Sequence, residues 1–449
     1  MHTLHPPLYQ FSLFHDELAA ARQVRDTHYL VPPPFLKKLS LWLATAAAVA
    51  ILISIAASQI LLALAIGVLL LSGLPLRWPR IAIPLGLFLL WTLLSLAFSP
   101  DPANGLTQVR KIYVFVTMLT IYSSVQTLAE VRFLVYSWLG VGTYAAVLGI
   151  FQYARKLAQA AAQHRDFYHF YIDRRITGFQ NHWMTFSGQE LFLLLMLMAF
   201  LLFGPVARKT AWIWALCMLV VGSALDFSET RSVWGAAVIA GIYLLWFWKR
   251  WAVAAMPVLL LVMFFTGPAS IKHRITTLWA PEANTDSNEH RFIVWRTGWE
   301  MIKAHPLLGV GPEEISKDAV FYAYLPKDIP LPLPPGYYKH LHSIYIHYAA
   351  ERGIPAALFL TGALLMALFD FHRALKTLPP GRSDRRFVLH WASATVIGTM
   401  VFGLADLNLG LSEELTMFLV VMCLGYWAAA PPETRIPAGR IAILDIPLP

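Results

Sequence analysis

Three side chains in the sequence combine a charge or a titratable ring with a position at the edge of an apolar segment: Arg231, Arg291 and His342. A guanidinium group holds an anion such as a phosphate through two parallel hydrogen bonds. A neutral imidazole is the usual general base near neutral pH. If the chain folds so that these residues meet, they can bind an anion and remove a proton beside it.

Arg231 lies in the short turn Ser228-Glu229-Thr230-Arg231, which separates two apolar runs. In the topology argued below, this turn is outside the membrane. An arginine in a short outer connection opposes the usual distribution of positive charge, which favours the inner side. A negatively charged ligand would explain the arginine. Arg231 is therefore a candidate anion-binding residue.

The segment 290–305 predicts an amphipathic helix with Arg291 on its apolar side. The apolar positions at helical spacing are Phe292, Trp295, Trp299 and Ile302, and the charged positions opposite them are Glu289, Arg296, Glu300 and Lys303. The two tryptophans suit a membrane interface. An arginine on the apolar side either extends its charge to lipid headgroups or meets a specific anion, and both interpretations stay open.

Three histidines, His340, His342 and His347, follow the proline-rich segment 330–338 and lie at the start of a long apolar run. Their spacings suit one helical face poorly, and no carboxylates cluster beside them, so the pattern does not favour a metal site. We therefore expect no metal and no cofactor. The proline-rich segment predicts an extended strap, which is either a lid over a cavity or a plain connector.

The composition indicates a membrane protein. Of 449 residues, 57% are hydrophobic and only 14% are charged, whereas a soluble domain has about a quarter charged residues. The net charge of +9 is scattered between apolar runs, so we expect no nucleic-acid partner. Cys217 and Cys423 lie inside apolar runs, which indicates neither a disulfide framework nor a thiolate metal site.

We predict an all-α polytopic fold with about twelve transmembrane helices, because apolar runs near the roughly 20 residues that cross a bilayer recur along the chain. The predicted spans are Leu39–Ala57, Ile60–Leu76, Ile81–Phe98, Ile112–Leu128, Phe133–Tyr153, Met184–Phe203, Ala211–Leu225, Val233–Trp248, Trp251–Phe265, His342–Phe371, Phe387–Leu404 and Leu415–Ala430. The run from His342 can also be a short polar helix followed by the span proper, divided at Gly353-Ile354-Pro355.

Lysine and arginine residues predict the orientation. Every connection that is cytoplasmic when the N-terminus is inside contains at least one of them, as the positive-inside rule requires. The first apolar run is expected to act as an uncleaved signal anchor. The predicted division is a cytoplasmic segment 1–38, helices one to nine in 39–266, a large periplasmic loop 267–341, helices ten to twelve in 342–430 and a cytoplasmic tail 431–449.

Several of these residues resemble the signature of the O-antigen ligase and polymerase superfamily. The similar segments are Glu229-Thr230-Arg231-Ser232, Arg291 with Trp295 running on to His305-Pro306-Leu307-Leu308-Gly309-Val310-Gly311, and His342-Ser343 followed nine residues later by Gly353. The twelve-span layout with one large outer loop late in the chain is also similar. The sequence departs from the signature at Ala356, where the superfamily has glycine.

The resemblance implies a metal-independent glycosyltransferase of the multi-span, GT-C-like class in the bacterial inner membrane, with its active site facing the periplasm. Members transfer O-antigen from undecaprenyl pyrophosphate to lipid A–core, polymerise O-units, or glycosylate proteins on serine or threonine. By that resemblance His342 activates the acceptor hydroxyl, and Arg231 and Arg291 hold the donor pyrophosphate. Further candidate substrate contacts are Arg174, Arg175, His340 and Trp295. The implied partners are the lipid-linked donor, the lipid A–core acceptor and membrane lipids.

Among these activities we favour the ligase, because the tail after Ala430 is short and contains no large soluble domain. A transporter or flippase is the alternative from another class. Transporters place ionisable residues near the membrane midplane, whereas Glu190 and Asp226 lie near the outer ends of their predicted spans, which favours an enzyme. The rate is expected to rise with pH through a group near about 6.5, unless nearby arginines lower the pKa of His342.

Overall fold

The computed structural model describes residues 34–266, 268–276, 287–334 and 336–430, and in these ranges the chain is helical and contains no strand. The α-helices are α1 Pro34–Ala50, α2 Ile55–Leu71, α3 Ala82–Ala97, α4 Pro102–Arg110, α5 Val116–Ser124, α6 Leu128–Ala162, α7 Phe167–Tyr171, α8 Trp183–Phe203, α9 Ala211–Phe227, α10 Arg231–Trp248, α11 Ala255–Thr266, α12 Ala269–Thr276, α13 Ser287–Ala304, α14 Asp318–Ala323, α15 Ile344–Arg352, α16 Ile354–Thr377, α17 Asp384–Phe402 and α18 Ser412–Ala429. Most of the predicted N-terminal segment 1–38, the whole predicted tail 431–449 and parts of the loop 267–341 lie outside the described residues.

Four described helices, α6, α8, α10 and α16, are long and apolar enough to cross a bilayer. Four further apolar helical stretches are shorter: Ile55–Leu71, Ala82–Ala97, Ala211–Phe227 and Arg250–Val262. The all-helical class and the membrane character of the chain are therefore confirmed. The count of twelve spans and the GT-C-like class stay predictions.

The boundary between the first two predicted spans is wrong. The first helix ends at Ala50, and α2 begins at Ile55 rather than at Ile60. Ser54 causes the shift, because its side-chain oxygen accepts a hydrogen bond from the N–H of Ala57 at 3.4 Å and so caps the new helix. Serine is a favoured N-cap residue, but a single serine does not interrupt an apolar run, so a criterion based on such runs places no boundary there.

The fourth and fifth predicted spans are also placed differently. A 3₁₀ segment and the short helix α5 replace the fourth span, and α6 begins after Thr127. Thr127 and Glu130 form a capping box, in which each side chain accepts a hydrogen bond from the backbone N–H of the other. The helix then continues to Ala162, so the stretch 154–162, predicted as the start of an outer loop, is helical.

The main core lies where α6, α8, α17 and α18 pack together. Trp138 of α6 and Trp391 of α17 are fully buried and meet edge to face, with ring centroids 6.0 Å apart. Each indole N–H donates to a backbone carbonyl, Trp138 to Ala48 at 2.6 Å and Trp391 to Phe192 at 3.2 Å. A buried indole needs such a partner, so these two tryptophans fix the relative positions of four helices.

A second, smaller core lies between α13 and α15. The buried face of α13 includes Ile293, Val294 and Met301, whereas Phe292 and Trp299 are 60% and 58% exposed. Of the four predicted apolar positions, Ile302 belongs to this core and Trp295 packs against it, so the predicted face is only partly the packing face. The helix has two apolar stripes, and only the inner one is covered, by residues that include Leu341, Ala349 and Ala350.

Gly353 divides the run that begins at His342 into α15 and α16. Its φ of +89° lies in the region that glycine adopts readily. A side-chain carbon at this position would overlap the carbonyl of Leu307. The glycine of the signature is therefore required by the close approach of two backbone segments.

The stretch from His305 to Gly311 packs against the junction of α15 and α16. The backbone hydrogen bonds that join them run from Val310 N–H to Ala350 O at 2.9 Å, from Gly311 N–H to Glu351 O at 2.9 Å and from Ile354 N–H to Pro306 O at 2.8 Å. The indole N–H of Trp91 also donates to Leu307 O at 3.0 Å, and the Ser95 hydroxyl donates to Leu308 O at 2.6 Å. This part of the signature holds α3, α15 and α16 together.

Candidate functional site

His342 lies directly before α15 in a left-handed backbone conformation, with φ of +45°. Backbone contacts on both sides fix it, because Trp295 Nε1 donates to the His342 carbonyl at 3.4 Å and Ile344 N–H donates to Gly403 O at 2.9 Å. A non-glycine residue in this region costs of order 1–3 kcal/mol, and such residues cluster at functional sites.

The imidazole of His342 is almost fully buried among other histidines. Its ring centroid is 4.0 Å from that of His340 and 4.9 Å from that of His290. Burial lowers the pKa of His342 to about 2, with the nearby charges of His340, Arg291 and His290 acting in the same direction and the Tyr337 backbone opposing them. Both ring nitrogens are buried, and no side chain in the described part of the chain forms a hydrogen bond with them. The ring is therefore neutral at physiological pH, and its lone pair is available to a substrate.

His290 joins the end of the proline-rich strap to α13. Its Nε2 lies 2.6 Å from the carbonyl oxygen of Tyr337, and its ring packs edge to face against Tyr338 with centroids 4.6 Å apart. The Tyr338 hydroxyl donates to Pro334 O at 2.8 Å. The end of the strap therefore rests on the histidine cluster that surrounds His342.

Arg291 is partly buried and faces this cluster. Burial is the largest influence on the pKa values of His342, Arg175 and Asp406; it lowers the first two and raises the third. The positive charge of Arg291 acts to lower all three pKa values. This position favours the specific-anion interpretation of Arg291 over contact with lipid headgroups.

Asp406, which the sequence analysis missed, lies in the connection between α17 and α18. The side chain is 4% exposed, and Oδ1 accepts a hydrogen bond from Leu407 N–H at 2.8 Å. Burial raises the pKa of Asp406 to about 6, while the Leu407 N–H and the Arg291 charge act in the opposite direction. The signal that could have found it is an acidic residue in a short polar break between two apolar runs.

Of the two neighbouring arginines in the loop between α7 and α8, which the sequence predicts to lie on the outer side, Arg175 is buried and Arg174 is exposed. Arg175 donates through Nη1 to the carbonyl of Glu229 at 3.1 Å and stacks over the Trp183 ring at 4.3 Å. Arg174 lies over the ring of the buried Phe170 at 5.0 Å. The structure therefore brings only Arg175 to the turn that precedes Arg231.

Arg231 begins α10 two residues after Glu229 and is partly buried. The turn before it is packed tightly, because Glu229 has no exposed surface and the Ser187 hydroxyl donates to Thr230 Oγ1 at 3.2 Å. Arg274 of α12, also missed by the sequence analysis, donates through Nε to the Glu229 carbonyl at 3.3 Å.

His340 lies between His342 and the loop that precedes α8. Its Nδ1 accepts a hydrogen bond from the N–H of His342 at 3.2 Å. Burial lowers the pKa of His340 to about 3, and the charges of His347, His290, His182 and Arg291 lower it further. Since His182 caps α8, the loop before α8 lies close to the segment before α15.

His347 contacts the buried carboxylate of Glu351, which also pairs with Arg352. Its Nε2 lies 3.5 Å from Glu351 Oε2, which is also 3.0 Å from Arg352 Nε. Among the residues that the structure describes, no three histidine, cysteine, aspartate or glutamate side chains gather closely enough to hold a metal ion.

The helices and this site define a membrane protein in which Arg291 lies near the buried His342 imidazole, and Arg175 and Arg274 meet at the turn before Arg231. A family model described as O-Antigen ligase matches residues 216–361, about a third of the chain. Over this segment the chain is similar to the O-antigen ligase family, whose members are lipid-linked glycan transferases. The match includes Arg231, Arg291 and His342, and leaves Arg175 and Asp406 outside. No curated protein matches the chain.

Proposed function

We propose that the protein is an O-antigen ligase that transfers O-antigen polysaccharide from undecaprenyl pyrophosphate to lipid A–core oligosaccharide at the periplasmic face of the bacterial inner membrane. The observation that supports this most directly is the position of the buried, neutral His342 ring near the charge of Arg291. The similarity to the family supports a lipid-linked glycan donor and a lipid A–core acceptor in general.

In this proposal Arg231 and Arg291 bind the pyrophosphate of the donor. Negative charge grows on the leaving oxygen as the bond between the sugar and the pyrophosphate breaks. Guanidinium groups hold phosphate oxygens with two hydrogen bonds each and stabilise that charge. Arg291 lies on the same helix face as Trp295, which contacts the His342 backbone, so the donor phosphate is held near the base.

His342 is the general base. It takes the proton from the acceptor hydroxyl as the hydroxyl oxygen bonds to the anomeric carbon, and undecaprenyl pyrophosphate leaves with the bonding electrons. If the anomeric carbon inverts, the base and the pyrophosphate face opposite sides of the sugar ring. His340 holds the backbone N–H of His342, and in this proposal it also contacts the acceptor.

The proposal places the large loop 267–341 in the periplasm and both termini in the cytoplasm. A reporter that is active only in the periplasm should give signal when fused near Asn284, a position outside the described residues, and no signal when fused near Ser383. The reverse pattern contradicts the proposed orientation.

The direct test incubates the purified protein with undecaprenyl-pyrophosphate-linked O-antigen and lipid A–core, and looks for the joined lipopolysaccharide on a gel. Elongated lipid-linked glycan without use of lipid A–core would instead identify a polymerase. Glycan joined to an added acceptor protein would identify a protein-glycosylating enzyme. Vesicles that move the lipid-linked glycan without forming a new bond would identify a flippase.

The joined product should also form in excess chelator, and a loss that a divalent ion restores contradicts metal independence.

A further inference from the structure

Two arginines from separate segments donate to one backbone oxygen, the carbonyl of Glu229. Arg175 approaches from the loop between α7 and α8 with Nη1 at 3.1 Å, and Arg274 approaches from α12 with Nε at 3.3 Å. We infer that Arg175 and Arg274 are positioning residues that hold the Glu229 turn and so set the direction in which Arg231 meets an anionic donor. This inference rests on the proposed function of Arg231.

The Glu229 turn needs such support. Glu229 has a φ of +49°, in the left-handed region that residues other than glycine and asparagine rarely adopt. It is also completely buried, so water cannot satisfy its carbonyl. A carbonyl oxygen has two lone pairs and accepts two donors. The two guanidinium groups therefore satisfy an oxygen that would otherwise be buried without partners.

Arg175 is held rigidly enough to act as a support. Its Nε donates to the Ile172 carbonyl at 2.9 Å while its guanidinium plane stacks over Trp183. Burial lowers the pKa of Arg175 to about 9, and the charge of Arg274 acts in the same direction. Arg175 therefore remains charged at neutral pH, and the nearby Glu229 carboxylate offsets the repulsion between the two arginines.

Arg274 connects the large outer loop to the same turn. Its Nη1 lies 3.5 Å from the hydroxyl of Tyr168 in α7, and the Tyr168 ring packs at 4.1 Å against His273. The Glu229 turn is thus the point at which the loop between α7 and α8 meets the predicted large outer loop. A change at Arg274 loosens this junction without removing any residue that we assign to phosphate contact.

The experiment measures binding of undecaprenyl pyrophosphate to the purified full-length protein in detergent. Because a 1 Å misplacement can change a functional step by about 10²-fold, Arg175→Gln and Arg274→Gln should each weaken binding by at least about tenfold. Lys272→Gln in the same helix as Arg274, and Arg155→Gln near the end of α6, remove a charge elsewhere. Both control variants should bind like the unmodified protein.

A double-mutant cycle distinguishes positioning from direct phosphate contact. Arg231→Ala removes the guanidinium group that, in this inference, Arg274 positions. Arg274→Gln should therefore weaken binding much less in the Arg231→Ala background than in the unmodified protein. An equal loss in both backgrounds means that Arg274 contacts the ligand itself, which overturns the inference.

Failure of folding is separable, because Tyr168→Phe removes only the hydroxyl partner of Arg274 and should give a smaller loss of binding in a protein of unchanged melting temperature. If the unmodified protein ligates O-antigen but Arg175→Gln and Arg274→Gln bind undecaprenyl pyrophosphate normally, the inference fails and the proposed function stands. If the unmodified protein binds undecaprenyl pyrophosphate and both arginine variants lose it, but no lipid A–core product forms, the ligase assignment fails and the positioning role stands.

Discussion

The indole nitrogen of Trp295 donates a hydrogen bond to the backbone carbonyl of His342 across 3.4 Å, and this contact ties α13 to the start of α15. Arg291 precedes Trp295 by four residues, and residues four apart lie on the same face of an α-helix. The cation and the residue that anchors the histidine backbone therefore approach His342 from the same side. This relationship gives the proposed phosphate contact and the proposed base a common support.

If His342 is the general base, His342→Ala should abolish detectable ligation, because general-base catalysis contributes typically about 10²–10⁴-fold. His342→Gln should be equally inactive, since an amide side chain keeps hydrogen bonds but takes no proton at neutral pH. Binding of undecaprenyl pyrophosphate should remain in both variants. The measurements are ligation rate and donor affinity at equal amounts of folded protein.

His305→Gln is the matched control for His342, because His305 is an exposed histidine of the same outer loop that contacts the Tyr324 hydroxyl at 2.6 Å. It should ligate at the unmodified rate. A near-normal rate for His342→Gln would show that His342 only orients the acceptor, and the proposed base would be wrong.

Arg231→Ala and Arg291→Ala should each reduce ligation at least tenfold, because a charge-assisted hydrogen bond contributes about 1.5–3 kcal/mol. Lysine should restore little activity at either site, since it lacks the planar fork that holds two phosphate oxygens. The affinity for donor should fall while the affinity for lipid A–core stays constant. Full activity of both alanine variants at equal membrane abundance contradicts a phosphate role.

The pH dependence should follow Asp406 rather than His342. Since the pKa of His342 is lowered to about 2, its ring stays neutral between about pH 5 and pH 8, and its protonation gives no acid limb in this range. Asp406 has a pKa raised to about 6 and lies close enough to be affected by the Arg291 charge. Below that pH Asp406 becomes neutral and no longer supplies a negative charge near Arg291, so the ligation rate should fall as pH drops through about 6.

Asp406→Asn tests this assignment, because the amide keeps the shape of the side chain but does not ionise. The variant should be slower at neutral pH, and its rate should no longer change through the acid range. An acid limb that persists unchanged in Asp406→Asn contradicts the assignment to Asp406.

The sequence predicts the helical membrane class correctly, for a physical reason. Apolar runs report bilayer-crossing potential directly. Arg231, Arg291 and His342 each stand out because a charge or an imidazole at the edge of an apolar run is unusual. Composition alone does not predict the interruptions at Ser54 and Thr127, because each depends on one capping hydrogen bond.

The remaining site residues are hidden from the sequence because they meet only in three dimensions. Arg274 and Asp406 lie 132 positions apart, and neither differs in its local pattern from an ordinary loop residue. The same applies to His290, which reaches His342 only through the packing of α13 on α15. Arg174 and Arg175 are adjacent in sequence, and only the fold decides which of them turns toward Glu229.

Gly353→Ala should damage folding rather than catalysis. Gly353 has a φ of +89°, and an added side-chain carbon would overlap the Leu307 carbonyl, so the variant must move the backbone that joins α15 to the stretch before Gly309. Strained positions of this kind cost of order 1–3 kcal/mol.

Gly362→Ala in α16 is the matched control, because no atom lies within 4 Å of an added carbon there and alanine is the better helix former by up to about 1 kcal/mol. Thermal unfolding of the purified proteins should show a lower midpoint for Gly353→Ala and an unchanged or higher midpoint for Gly362→Ala. Equal midpoints for Gly353→Ala and the unmodified protein, with ligation lost, would instead assign Gly353 to the reaction itself.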